Sequence, residues 1–139
     1  MFEARNLFKW VVWLGVAANF SFGLWVVFFD GNALLAMLRL GPQANLLWLF
    51  NYSILLMILS LFYLPAARDP FRYRVNAWLL VLGRLLPATT FLVGVGLGYM
   101  PAGFLGLFLA DGTFGVIELI LLLRIYKQGP KPGDYGYAA

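Results

Sequence analysis

Four long apolar stretches constrain this chain more than any other feature of its sequence. A helix needs about 20 mostly apolar residues to cross the roughly 30 Å of hydrocarbon in a bilayer. The predicted spans cover residues 10–29, 44–64, 75–98 and 104–125. Because 63% of all residues are hydrophobic and only 12% are charged, a water-soluble globule is excluded. The sequence therefore predicts an all-α, four-helix transmembrane bundle over residues 1–128, followed by a Gly/Pro/Tyr tail over 129–139.

The basic residues lie almost entirely on one side of the predicted spans. They occur before the first span, between the second and third, and after or near the end of the fourth: Arg5, Lys9, Arg68, Arg72, Arg74, Arg124, Lys127 and Lys131. Arg39 lies alone on the other side, and Arg84 lies inside the third span. Since positively charged loops stay on the cytoplasmic side, we expect both termini to be cytoplasmic, in the inner membrane of a bacterium.

Two segments near the first span need separate interpretation. Residues 33–40 are too few to cross the bilayer, and they predict an interfacial amphipathic helix or a re-entrant turn. The first span itself could be a signal peptide, but its apolar stretch exceeds the usual 7–15 residues of such a segment and no A-x-A cleavage site follows. We therefore expect the first span to be retained.

Arg84, Asp111 and Glu118 are ionisable residues within the predicted spans, where a charge costs about 2.5–3.5 kcal/mol at a helix centre. Asp111 and Glu118 are seven residues apart, which places them on one face of a helix. Arg84 and Glu118 lie about 13 and about 11 Å from the same membrane edge at 1.5 Å per residue. These depths predict an ion pair between Arg84 and Glu118. Asp111 should lie about 10 Å further from this edge, with uncharged polar side chains as its partners.

Asn19 and Asn51 fall near the middle of the first two spans. We therefore predict one polar cluster that joins all four helices, formed by Asn19, Asn51, Arg84, Asp111 and Glu118. Such a cluster can hold membrane helices together, bind a ligand or partner, or conduct protons or ions. The sequence leaves these three interpretations open.

The loop over residues 65–74 contains two prolines and three arginines, and the tail contains two tyrosines. The residues predicted to dock a partner or lipid head groups are Arg68, Arg72, Tyr73, Arg74, Tyr135 and Tyr137. The simpler alternative is that the arginines only fix the topology. Phenylalanine and tryptophan also enrich the first two spans, a surface that suits lipid, another subunit, or a quinone or pigment.

Two short segments carry a resemblance to a known family. The stretch Leu-Pro-Ala-Ala-Arg-Asp-Pro-Phe-Arg-Tyr-Arg at 64–74 and the stretch Ala-Asp-Gly-Thr-Phe-Gly at 110–115, together with the four predicted spans, resemble small bacterial membrane proteins of the DoxX-like kind. The resemblance implies a four-span helical fold. It implies no particular chemistry.

Cysteine and histidine are both absent from the sequence, which excludes thiolate or imidazole catalysis, Cys/His zinc sites and haem ligated by His or Cys. We therefore expect no enzyme and no cofactor bound through those residues. The leading interpretation is a non-catalytic accessory subunit of a larger membrane complex, in contact with lipid, other membrane subunits or copies of itself. Nucleic acid is not an expected partner, because the basic residues lie at the membrane ends. The alternative is a small proton-coupled transporter that uses Asp111 and Glu118.

Overall fold

The computed structural model describes residues 3–41 and 46–130, and all regular secondary structure within these ranges is helical. Its elements are α1 (Ala4–Phe28), α2 (Gly31–Met37), α3 (Leu46–Leu61), α4 (Leu64–Arg68), α5 (Arg74–Gly96) and α6 (Phe104–Gln128). Four stretches are long and apolar enough to cross a membrane: α1, α3 continued by α4, α5 and α6. The predicted all-α fold with four apolar helices is therefore confirmed, whereas the orientation of the termini stays a prediction. Tyr135, Tyr137 and the rest of the tail after residue 130 lie outside the described residues.

The long helices follow one another around the bundle in the order α3, α1, α6, α5. The most extensive contact joins α5 to α6, and α1 packs between α3 and α6. The short helix α4 packs on α1 and α5, so it joins the two ends of this order at one end of the bundle. Among the described residues α3 and α5 make no comparable contact with each other. The bundle is thus closed at the α4 end and open along the seam between α3 and α5.

The closed end holds the main hydrophobic core. Its large side chains are nearly inaccessible, each exposing 2% or less of its surface: Phe8, Tyr63, Leu80, Leu122 and Ile125. Two hydrogen bonds tie the connecting backbone to this core: Asn76 Nδ2 donates to the Phe62 carbonyl at 2.8 Å, and the Tyr126 hydroxyl donates to the Pro70 carbonyl at 3.1 Å. Since lipid is as apolar as these side chains, close packing rather than escape from water holds this end together.

The loop predicted over residues 65–74 begins with the helix α4. Ala66 and Ala67 are buried there, because small side chains let α4 approach the long helices closely. Asp69 then turns the chain into α5: its Oδ1 accepts hydrogen bonds from the backbone N–H groups of Phe71 and Arg72, both at 3.0 Å. This is the side-chain capping that aspartate favours in turns.

The segment between the first two spans forms the seven-residue helix α2. Asp30 caps its start by accepting a hydrogen bond from the Asn32 N–H at 2.8 Å. Its end is closed by Arg39 in the left-handed conformation, with φ of 56°, and by a hydrogen bond from the Leu40 N–H to the Leu35 carbonyl at 2.9 Å. Gly103 lies against the carbonyl oxygens of this turn, so that a Cβ at this position would overlap them. The absence of a side chain on Gly103 thus lets α6 begin directly beside the end of α2.

Candidate functional site

A chain of polar side chains crosses the interior of the bundle and contacts all four long helices. Arg84 of α5 donates from Nη1 to Asp111 Oδ1 of α6 at 2.8 Å and to Asn19 Oδ1 of α1 at 3.1 Å. Asn19 donates in turn from Nδ2 to Ser60 Oγ of α3 at 2.7 Å. The Ser60 hydroxyl donates in turn to the Leu56 carbonyl at 2.8 Å, so the chain ends on the backbone of α3. Three hydrogen bonds between side chains thus join all four long helices inside an apolar bundle.

The structure does not bring Asn51 into this cluster. Its side chain is exposed, and the residue that joins α3 to the polar chain is the buried Ser60. The two residues are nine positions apart, which is two and a half turns at 3.6 residues per turn, so they face opposite sides of α3. The signal for Ser60 was its spacing of seven from Ser53, because these two serines share one face and are both fully buried.

The ion pair forms with a different acid from the one that depth along the helices suggested. Arg84 pairs with Asp111, and Glu118 accepts no hydrogen bond from the described residues. A Cβ at Gly115 would lie 3.0 Å from Arg84 Cβ, which places Arg84 level with Gly115 and between the two acids. Because Asp111 lies four residues to one side of Gly115 and Glu118 three to the other, both carboxyls are within reach of a long arginine side chain. The hydrogen bond from Arg84 to Asn19 favours Asp111 as the partner, because Asn19 accepts from the guanidinium on the side of Asp111.

Glu118 and the far side of the guanidinium form a second, unsatisfied half of the cluster. Glu118 is fully buried and Arg84 is 4% exposed. Arg84 Nε and Nη2 and both carboxyl oxygens of Glu118 are buried without a hydrogen-bond partner among the described residues. A Cβ on Gly15 would stand 2.5 Å from Arg84 Nη2 and 3.8 Å from Glu118 Oε1. Gly15 of α1 therefore provides the space in which these two groups face each other.

The open seam between α3 and α5 forms a lateral cleft that leads to the ion pair. The lateral cleft comprises three adjoining cavities of about 170, 240 and 250 Å³, and Tyr52 lines all of them. The first two cavities share Asn19, Arg84 and Asp111 in their walls. Asp111 keeps 22% of its side chain accessible, whereas Arg84 keeps 5%. The cleft thus exposes the acid of the pair and hides the base.

The residues predicted to dock a partner lie at the closed end, away from the cleft. Arg68, Arg72 and Arg74 are exposed and Tyr73 is half-buried. Two of these arginines lie over aromatic rings, Arg72 over Tyr73 at 5.5 Å and Arg74 over Tyr126 at 5.6 Å. They form a basic rim around α4, and docking at this rim stays a prediction.

The described part of the chain holds no group of three or more acidic side chains that could bind a metal ion together. Comparison with protein-family models, curated protein sequences and solved structures finds no match for this chain. The resemblance to DoxX-like proteins therefore stays a prediction.

Proposed function

We propose that this chain is a non-catalytic integral membrane protein that packs, as an accessory subunit, in a larger membrane complex of the bacterial inner membrane. The observation that carries the proposal is the outer face of α3. Asn51 lies on this face five residues inside the helix, among the exposed side chains Leu47, Ile54 and Ile58. Its amide makes no hydrogen bond with the described residues. An amide is poorly accommodated against hydrocarbon, and such groups join membrane helices by hydrogen bonds across their interfaces.

The weak attachment of α3 within the bundle supports the same proposal. Only 17% of the most apolar part of the α3–α4 stretch is buried, which is the smallest share among the four spans. Among the described elements, α3 packs mainly on α1, with a smaller contact to α2. A further membrane helix on its outer face would cover both the apolar side chains and Asn51. A complex that transduces energy is one setting for such a subunit, with lipid and neighbouring membrane subunits as partners.

Asn51→Leu tests this proposal because it removes the amide without breaking a hydrogen bond to the described residues. We expect the variant to associate with its partners about fivefold more weakly, since one interhelical hydrogen bond contributes about 1 kcal/mol. The measurement is recovery of defined membrane subunits with the tagged chain in mild detergent, from the organism that encodes it. Thr113→Val, a similar change at an exposed site on α6, is the matched control.

A wild-type chain that purifies without any stoichiometric membrane subunit contradicts the accessory role. Equal recovery with wild type, Asn51→Leu and Thr113→Val would keep the accessory role but remove the outer face of α3 from its interface. The thermal stability of the purified Asn51→Leu chain should equal that of wild type, which separates loss of a partner from loss of the fold.

A proton-coupled carrier is a second candidate, favoured by the charge balance of the buried cluster. One guanidinium, that of Arg84, faces the carboxyls of Asp111 and Glu118. The cluster has a net charge of −1 when both acids are ionised and none when one of them holds a proton. Uptake of a proton therefore removes the net charge of the cluster, which is the property that a carrier needs.

Proton flux into proteoliposomes tests the carrier. We expect Asp111→Asn to abolish flux that follows an imposed pH gradient, because the accessible acid of the pair can no longer take up a proton. Asp30→Asn is the matched control, since asparagine caps α2 as well as aspartate does. Wild-type flux equal to that of empty liposomes, measured with an entrapped pH dye, rules the carrier out.

A further inference from the structure

The lateral cleft has polar groups at one place and apolar walls over the rest of its length. Around the ion pair its walls include Tyr52, Asp111 and Tyr63. Towards the other end it continues between aromatic and aliphatic side chains, past Phe91 to Trp48. Because α3 and α5 do not pack against each other, this interior is open towards the side of the bundle that faces the bilayer.

Tyr63 is the observation that points to a ligand. Its side chain is 2% exposed, and its hydroxyl makes no hydrogen bond with the described residues. The hydroxyl lies against Gly83, another residue in the wall of the same cavity. The carbonyl of Gly83 receives no helical hydrogen bond from position 87, because Pro87 has no N–H group. The hydroxyl lies in the wall of the cavity and is not among the fully buried unpaired atoms, so this part of the cavity offers a donor at Tyr63 and an acceptor at Gly83 to a bound molecule.

The charged groups in the wall of the cavity favour a neutral head group over a charged one. Arg84 forms an ion pair with Asp111 at 2.8 Å and keeps only 5% of its side chain accessible. An anionic head would meet the accessible carboxylate of Asp111, while a cationic head would compete with Arg84 for it. A neutral head with hydroxyl or carbonyl oxygens can instead donate to Asp111 and accept from Tyr63 without adding charge to an apolar site.

The dimensions of the cleft limit the rest of the ligand. The individual cavities of 170–250 Å³ are smaller than the roughly 300–1,000 Å³ of typical ligand pockets. They are also strung along the helices, so they suit one slender chain and not a helix or a broad ring system. The apolar walls between Phe91 and Trp48 would cover such a chain.

We propose that the lateral cleft binds a neutral amphiphile from the membrane, with its oxygen-bearing head beside Tyr63 and Asp111 and one apolar chain along Phe91 towards Trp48. A short-chain quinol and a monoacylglycerol both have this chemistry. The site is separate from the outer face of α3 on which the accessory role rests, so either proposal can fail without the other.

Binding of four probes to the purified chain in detergent tests the proposal: decyl-benzoquinol and 1-decanoylglycerol as neutral amphiphiles, decyl phosphate and decyltrimethylammonium as charged ones. Native mass spectrometry and the shift in thermal midpoint report binding. We expect saturable binding of at least one neutral probe, at least tenfold tighter than that of either charged probe. Preference for the quinol or for the glycerol ester identifies whether the cleft is built for a quinol head group or for a glycerol ester head group.

Three variants locate the bound molecule. Tyr63→Phe should weaken binding of the neutral probe about twofold to tenfold, the range for one hydrogen bond. Leu107→Trp should abolish binding by filling the cleft, since Leu107 lies in the walls of two of its cavities. Tyr99→Phe, at a site 82% exposed and outside the cleft, should leave binding unchanged.

The proposal is overturned if neither neutral probe binds saturably, or if a charged probe binds as tightly as the neutral ones. It is equally overturned if Leu107→Trp folds with wild-type stability and still binds the neutral probe with wild-type affinity. The variant Asn51→Leu should bind the probe normally, because Asn51 lies on the opposite face of α3 from Ser60 and outside the cleft walls.

Discussion

Arg84→Met should destabilise the purified protein by about 3 kcal/mol, the cost of breaking a buried ion pair by removing one partner. The substitution keeps a long side chain in place but removes the donor to Asp111 and Asn19. The two carboxyl groups then remain in the bundle without a cation beside them, and Asn19 Oδ1 loses its donor. The measurement is the free energy of unfolding in mild detergent, with unfolding monitored by circular dichroism. Arg124→Met, at an exposed site on α6, is the control and should change the free energy little.

Double-mutant cycles should assign the pair to Asp111 and not to Glu118. Combining Arg84→Met with Asp111→Leu should recover part of the lost stability, because no unpaired charge remains at that place. Combining Arg84→Met with Glu118→Leu should recover less. Glu118→Leu alone should be neutral or stabilising, since the carboxyl accepts no hydrogen bond from the described residues. A coupling of Arg84 to Glu118 that equals or exceeds its coupling to Asp111 contradicts this assignment.

The four apolar helices are predictable from the sequence because hydropathy over about 20 residues is a property of each segment alone. The long helices lie at the predicted places, but α1 begins at Ala4, six residues before the predicted start, and α6 ends at Gln128, three residues after the predicted end. Both extensions include basic residues, Arg5 and Lys9 in α1 and Lys127 in α6. Long basic side chains can reach the interface from inside a helix, so a start placed directly after Lys9 lies too far along the chain.

The contents of the polar cluster are predictable only in part, because they depend on helix rotation as well as depth. The structure brings Asn19, Arg84 and Asp111 together, and it buries Glu118 beside them without a hydrogen bond. Asn51 has a suitable depth but the wrong angular position on α3. The angular position is readable from the Ser53 and Ser60 spacing only once the buried face of α3 is known.

Depth along the helices does not by itself predict which of the two acids pairs with Arg84. Arg84 lies level with Gly115, and a boundary error of two residues moves the expected partner from one carboxyl to the other. What decides the matter is Asn19, which holds Arg84 Nη1 from a different helix at 3.1 Å. Such a contact depends on how α1 rotates against α5 and α6, and no pattern within one helix encodes it.

Gly115→Leu should be the most damaging substitution on α6 outside the charged residues. A Cβ at this position would lie 2.8 Å from Leu85 Cδ2 and 3.0 Å from Arg84 Cβ, so the added side chain must separate α5 from α6. These two helices form the most extensive contact in the bundle. Overpacking alone costs about 1–3 kcal/mol. The expected loss lies at or above the upper end of that range, because displacement of Arg84 also strains its bond to Asp111.

The free energies of unfolding of paired variants separate these two contributions. Gly106→Leu is the matched control, because a Cβ at Gly106 meets nothing within 4 Å on the same helix, and it should cost little. In an Arg84→Met background the penalty for Gly115→Leu should shrink, since no ion pair remains to be displaced. An equal penalty in both backgrounds would mean that Gly115 matters only for packing. If Gly115→Leu were tolerated as well as Gly106→Leu, the close approach of α5 and α6 at Arg84 would be wrong, and with it the position of the ion pair between the two acids.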